Sequence, residues 1–229
     1  MGSTQTNMTV HLTPQFSILS EDQKEAIYHG VLRTLLTTGV NVNHEYARDL
    51  LKKNGALVDG NRVRIPQHLI TEALSTSPPF TEVFAWDDDE SKKICIEHGR
   101  SYFGPGPTPP NFIDTDTLER RPYIRKDASL VARVCDALPN IGYVQSLGSI
   151  SDVQVGMEAV YEFADMIQNT TTPIMNWAFT RESCAMEHKI GIIMAGGEDA
   201  FRIKPNFIHY GEPISPLTSD FHAMDKCVY

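Results

Sequence analysis

From residue 100 onward the chain alternates short apolar runs with amphipathic ones, and this rhythm limits the fold more than any other feature. Strand candidates occur at 100–103 (RSYF), 141–148 (IGYVQSLG), 172–179 (TPIMNWAF) and 206–214 (NFIHYGEPI). Helical stripes fall between them. One consists of Leu130, Val131, Val134, Cys135 and Leu138, and a second of Val160, Phe163, Ala164 and Ile167; a third helix covers 181–195 and stops at Gly196-Gly197. NFIDTDTLERRP reads as a short hairpin ahead of the first of these helices. A repeat of about 30–40 residues is what parallel βα units need. Apolar strands with polar C-terminal ends suit a sheet buried on both faces. The predicted fold is α/β: a partial TIM-type (β/α) barrel of about four βα units over 100–229. The last helix begins near Ser219 and runs to Tyr229 with no closing strand. Half a barrel leaves parallel edges unpaired, so the remainder is expected in a longer chain or by association. A flavodoxin-like open sheet is the alternative, although such sheets usually start with a strand near the N-terminus.

Residues 1–99 read as a small α+β subdomain with a loose tail over 1–15. Ser20-Glu21-Asp22-Gln23 is a capping-box pattern that opens a helix carrying Ile27, Val31 and Leu35 on one stripe and ending at Gly39. A second helix follows Asn43 and ends near Gly55. LVDGNRVRI turns at Asp59-Gly60 as a hairpin, and Pro66 opens a third helix reaching about Ser75. Strands at 80–86 and 92–97 flank the acidic turn Asp87-Asp88-Asp89-Glu90. That turn lacks the alternating ligand spacing of a calcium loop and is expected to be solvated.

Charge excludes several classes of function. The 229 residues carry 20 basic and 29 acidic side chains, a formal net charge of −9 without a basic run, which argues against nucleic acid and anionic membrane as partners. No stretch of about 18 apolar residues exists and the first residues show no signal pattern, so a soluble, cytoplasmic protein is expected. Cys95, Cys135, Cys184 and Cys227 lie far apart with no CxxC, consistent with reduced thiols and with no metal site.

The stretch YFGPGPTPPN at 102–111 places two glycines and four prolines directly after the first strand candidate. Gly104 and Gly106 can adopt positive φ, and the prolines stiffen the loop, so it can serve as a ligand floor as well as a connector. Ligands in parallel α/β proteins collect at the C-terminal ends of strands. Those ends supply Tyr102, Phe103, Gly104, Pro105, Gly106, Ser146, Ser149, Asn176, Trp177, Phe179, Tyr210, Glu212 and Ser215. Aromatic side chains dominate, one carboxylate stands among them, and lysine and arginine are absent. This set suits a cation: ring faces attract ammonium groups and Glu212 is expected to supply a counter-charge. No Ser–His–Asp or paired-carboxylate pattern is visible. His209, His188 and Asp152 are read as packed, hydrogen-bonded or capping residues.

YFGPG followed by NFIDTDTLERRP, DALPNIGYV, NTTTPI and PISPLT, with GALVDGNRVRIP and LITEALSTSP upstream, resembles the trimethylamine and glycine-betaine corrinoid methyltransferase family. The resemblance covers nearly all of residues 20–229. It implies a TIM barrel with an N-terminal elaboration, present here as its N-terminal half. It also implies a methyltransferase subunit that moves a methyl group from a methylamine or quaternary amine to the cobalt of a cognate corrinoid protein. The corrinoid cofactor would then be carried by that partner and not bound directly; a homo-oligomer is allowed. In trimethylamine enzymes of the family a pyrrolysine is expected in the missing half. The resemblance is firmest at Phe103, Gly104, Pro105 and Gly106 and at Pro213-Ile214-Ser215-Pro216-Leu217, and it implies that both stretches lie at the catalytic mouth. Asn176, Trp177, Tyr210 and Glu212 rest on strand-end position alone. A catalytically silent fragment, a module docking on a corrinoid protein, and a lyase or aldolase-type barrel enzyme are the rival readings.

Overall fold

The computed structural model describes residues 16–107, 109–211 and 213–228. The chain is mixed α/β, with helices α1 (Glu21–Thr37), α2 (Glu45–Lys53), α3 (Gln67–Thr76), α4 (Arg125–Ala137), α5 (Glu158–Ile167), α6 (Arg181–Met194), α7 (Glu198–Ile203) and α8 (Phe221–Cys227). Its strands are β1 (Val40–Val42), β2 (Leu57–Asp59), β3 (Arg62–Arg64), β4 (Phe80–Val83), β5 (Ile94–Glu97), β6 (Asn111–Ile113), β7 (Arg120–Pro122), β8 (Ile174–Asn176), β9 (Phe207–His209) and β10 (Thr218–Ser219). They group into two compact units, one built from Phe80–Tyr210 and the other joining residues 16–79 to 211–228. The change of rhythm at residues 99 and 100 therefore falls inside the first unit, and the C-terminal segment belongs with the N-terminal helices.

The second unit is organised by a sheet of order β10-β1-β3-β2. Ser20 and Gln23 form the expected reciprocal cap at the start of α1, and Asp59 pairs with Arg62 across the two-residue turn at Gly60, whose φ of 57° favours glycine. Val42, Ala47, Ala56 and Val63 form the core. The α1 stripe differs from expectation: Leu32 is buried, while Ile27 and Val31 are exposed. Residues 211–228 return to this sheet because β10 pairs in parallel with β1. α8 is anchored by His44, which caps α2 by accepting the Ala47 N–H at Nδ1, approaches Asp225 Oδ1 at 3.3 Å through Nε2, and stacks on Phe221.

In the first unit β8 and β9 are parallel, with Ile174 opposite Phe207, and Val144 adds a parallel bridge to Ile174. Gly142 N–H donates to Phe103 O at 2.8 Å. No ladder forms at 101–103. Residues 141–148 likewise contribute one bridge instead of a full strand. Val144, Ile174 and Phe207 face the helices and pack with Phe163, Met166, Ile167, Ala132 and Cys135. The α4 stripe is shifted from its expected place. Ala128, Ala132 and Cys135 are buried whereas Leu130, Val134 and Leu138 are exposed, since small side chains let α4 lie close to its neighbours. The antiparallel β4–β5 hairpin runs on along the N-terminal ends of the parallel strands, with Phe84 N–H on Pro205 O and Trp86 N–H on Thr171 O, both 2.8 Å.

One carboxylate oxygen fixes the entry to β8. Asp136 Oδ1, in the last turn of α4, accepts from Thr170 Oγ1 and Thr172 Oγ1 (2.9 Å each), from Thr171 N (2.9 Å) and Thr172 N (3.2 Å), and from Lys92 Nζ (3.2 Å). Burial works to raise this carboxyl, but the Thr171 N–H, the two hydroxyls and the Lys92 ammonium outweigh it and hold it well below the usual range. Its stabilising contribution is therefore present above the unfolded value near 3.8 and is lost as pH falls below it. Asp136→Ala is expected to cost about 2–4 kcal/mol at pH 7, with the difference from the parent protein shrinking below about pH 4; urea unfolding at the two pH values checks both statements.

Candidate functional site

The C-terminal ends of the parallel segments meet in a cleft lined by Pro107, Gln145, Ser146, Gly148, Ser149, Glu162, Asn176, Trp177 and Phe179. Strand alternation explains the arrangement. Val144, Ile174 and Phe207 point into the helix layer, so Gln145, Met175 and Ile208 occupy the opposite face, and Trp177 and Tyr210 follow one step further on. Trp177 stacks on Tyr210 with ring centroids 6.0 Å apart and planes 20° from parallel, and packs against Phe179 at 4.8 Å. Asn176 sits on the helix side and its amide N–H reaches Ala159 O of α5 at 3.5 Å.

The proline-rich loop approaches this cleft through Pro107. Neither Gly104 nor Gly106 has a positive φ, so the expected left-handed turn is not how the loop is built. Gly104 is required by contact: a Cβ there would lie 2.5 Å from the Tyr143 ring. Tyr102 is half-buried, its hydroxyl accepting the Cys95 N–H at 2.9 Å, and Pro105 is also half-buried. Phe103 is 72% exposed and does not line the cleft. Gly106 is exposed with open space around it. Glu212, the expected counter-charge, lies outside the described residues. Ser215 belongs to the other compact unit, where it is exposed on the turn closed by Ile214 N–H on Thr218 O at 2.7 Å.

Four cleft residues, Pro107, Gln145, Gly148 and Glu162, were not among the strand-end candidates. Gln145 directly follows Val144 and is 4% exposed. Glu162 comes from α5, where nothing in the local pattern separates a buried glutamate from a solvated one. Its Oε1 accepts the Ile150 N–H at 2.9 Å. Burial pushes its carboxyl from an ordinary 4.5 up to about 7, with Glu158 and Asp165 adding to the rise and the Ile150 bond opposing it. The histidines take structural positions. His209 Nδ1 is 3.3 Å from Oε2 of the fully buried Glu187. His188 packs among the Phe201, Phe207 and His209 rings and is held below its ordinary range by burial. Asp152 caps α4, its Oδ1 accepting the Arg125 N–H at 3.0 Å. Among the described residues the cleft lining holds two aromatic rings, Trp177 and Phe179, several neutral polar groups, one carboxyl that burial pushes up to about 7, and no lysine or arginine. Ring faces of this kind attract small cations.

Comparison with known proteins defines the class. The sequence matches the family described as "Trimethylamine methyltransferase (MTTB)" over residues 2–228. The chain belongs to this family. It is 27% identical over 213 residues to the trimethylamine methyltransferase MttB of Desulfitobacterium hafniense (strain DSM 10664 / DCB-2), covering 91% of this chain and 42% of that protein. It is 23% identical over 210 residues to the glycine betaine methyltransferase of Desulfitobacterium hafniense (strain Y51), covering 91% and 43%. Against the trimethylamine methyltransferase MttB of Methanosarcina barkeri (strain Fusaro / DSM 804), identity is 27% over 224 residues, with 91% and 43% covered. The chain spans less than half the length of these curated relatives. Among the described residues no helix is long and apolar enough to cross a membrane.

The raised Glu162 carboxyl has a stability consequence. A carboxyl that is harder to ionise in the folded state contributes fully below about 4.5, loses that contribution as pH climbs toward 7, and lacks it above. Glu162→Gln keeps an acceptor for the Ile150 N–H and removes the ionisation. The variant is expected to melt at nearly the parent temperature at pH 4.5 and to be more stable by about 1–3 kcal/mol at pH 8, as read by thermal unfolding at both values.

Proposed function

We propose that this protein takes part in moving a methyl group from a methylamine or quaternary amine, of the trimethylamine or betaine type, to the cobalt of a corrinoid carried by a separate protein. The observation that carries this reading is the Trp177–Tyr210 stack, joined by Phe179, beside a cleft whose described lining residues include no basic side chain. Family membership supports the reaction class. The fold supports the location. Hydrogen bonds link Phe103 with Gly142, Val144 with Ile174, and Ile174 with Phe207 in chain order, with α4, α5 and α6 between them, the connectivity of an arc of a (β/α) barrel. On this reading the cleft is the mouth of that arc, and further βα units complete the wall.

The reaction needs little acid–base chemistry from the protein. The corrinoid supplies the electron pair that takes the methyl group, and the nitrogen keeps the pair of the broken C–N bond and leaves as a neutral amine. The chain's residues bind and orient. Trp177, Tyr210 and Phe179 offer ring faces to the ammonium group, Pro107 stiffens the rim, and Gly104 lets the loop rest on Tyr143 so that the rim keeps its position. Among the described residues the cleft lining holds neither paired carboxylates nor a Ser–His–Asp set, which agrees with this division of labour.

The test combines binding and turnover. Trp177→Ala is expected to weaken tetramethylammonium binding about 3–30-fold by titration calorimetry, with Trp177→Phe retaining most of the affinity. Supplied with a reduced corrinoid protein and the remainder of the barrel, the parent protein is expected to yield the amine shortened by one methyl group, detected by mass spectrometry. Loss of neither binding nor turnover in Trp177→Ala would remove the aromatic cleft from the reaction.

A further inference from the structure

Gln145 is the polar side chain that the cation reading leaves unexplained. It is 4% exposed, lines the cleft beside Trp177 and Phe179, and its Nε2 is buried with no hydrogen-bond partner among the described residues. Leaving such a donor unsatisfied costs about 1–3 kcal/mol, and interiors tolerate few of them unless a ligand or water completes the bond. Its neighbours are satisfied otherwise: Ser146 Oγ donates to Gly148 O at 2.6 Å, and the Asn176 amide reaches Ala159 O. An amide N–H has nothing to offer a trimethylammonium head, whose methyl groups carry no lone pair. The missing partner is an acceptor.

We propose that the ligand of this cleft carries an oxygen acceptor as well as its methylated nitrogen, and that Gln145 is the specificity-determining residue that binds this oxygen. This rests on the cation reading above and adds a second point of attachment to it. The ring faces hold the onium end, and the Gln145 amide holds an oxygen on the other. A ligand of this class is a carboxylate-bearing betaine or a hydroxyl-bearing choline; both present an oxygen lone pair, whereas protonated trimethylamine and tetramethylammonium carry no lone pair at all. A site built around a buried donor discriminates strongly against ligands that leave the donor empty, because binding them seals the unpaired group from water.

Four probes separate the two halves of the site: glycine betaine, choline, tetramethylammonium and 3,3-dimethylbutyrate, the uncharged-head analogue of betaine. The purified protein is expected to bind betaine or choline at least ten-fold more tightly than tetramethylammonium in calorimetric titrations, the tighter of the two identifying the oxygen as carboxylate or hydroxyl. Gln145→Leu is expected to compress that preference to within about three-fold, and Gln145→Met, which fills the same space with a flexible chain, to do the same should the leucine variant fold poorly. Equal affinity of the parent protein for tetramethylammonium and both oxygen-bearing ligands would overturn the oxygen attachment while leaving the aromatic cation site standing. Equal affinity for betaine and 3,3-dimethylbutyrate would do the reverse. A variant that keeps the parent's preference would remove Gln145 from the site.

Discussion

A one-residue slip in the pairing of β8 with β9 would turn Trp177 or Tyr210 into the helix layer and undo their stack. Strand side chains alternate with a period of two, so register decides everything at the strand ends. The register is held by burial. Val144, Ile174 and Phe207 form a row fully or almost fully removed from water against Phe163 and Met166. Burying each of these side chains stabilises the paired state by about 1.5–3 kcal/mol. Slipping one strand would expose that row and push Gln145 or Met175 against α5. The aromatic stack is therefore a consequence of an apolar row several residues away.

Asp136 reinforces the same register from below. Its oxygen gathers the threonines at 170–172 immediately before β8, so the strand starts at a set height and Trp177 emerges at a set place. Backbone N–H groups at 171 and 172 lie at the strand entrance, the second of them shared with Thr170 Oγ1 at 3.0 Å. A single ionised acceptor satisfies them together with their hydroxyls, and charge-assisted bonds are the stronger kind. The Lys92 ammonium, brought in by the β4–β5 hairpin, balances the charge. Positions at both ends of β8 are thus tied by different physics, ionic at the entrance and aromatic at the exit.

Local signals in the sequence went far with helices and turns and less far with anything that needed distant partners. Ser20 with Gln23, the turn at Asp59-Gly60, the α5 stripe through Phe163 and the stop at Gly196-Gly197 all act within a few residues, and all are legible. The stripe on α4 misled, because its buried face is chosen by alanines that permit close packing and not by its largest apolar side chains. The stretch at 100–103 formed no ladder, since a strand needs a partner that its own apolar pattern does not name. The return of residues 211–228 to the N-terminal sheet depends on Asn41 pairing with Thr218, a contact no local pattern announces. In the site, aromatics at strand ends were legible by position, and Glu162 was not, since it enters from a helix.

The composition of the cleft bears on how a methyl group could be given up there. In transfer from a cation, the positive charge on nitrogen disperses as the carbon departs. A carboxylate placed firmly against the onium group would stabilise the starting state more than the transition state, and interactions that do so slow the chemical step. Ring faces hold the cation through a soft, spread-out field that changes little along the reaction. Glu162, its carboxyl pushed up to about 7 by burial, adds less fixed negative charge to that field than an ordinary carboxylate would. An attachment through Gln145 to an oxygen remote from the reacting carbon would supply affinity without touching the charge that has to move. Binding strength and reactivity would then be assigned to different ends of the same small molecule, and a buried neutral amide is suited to the first task because it anchors without ionising.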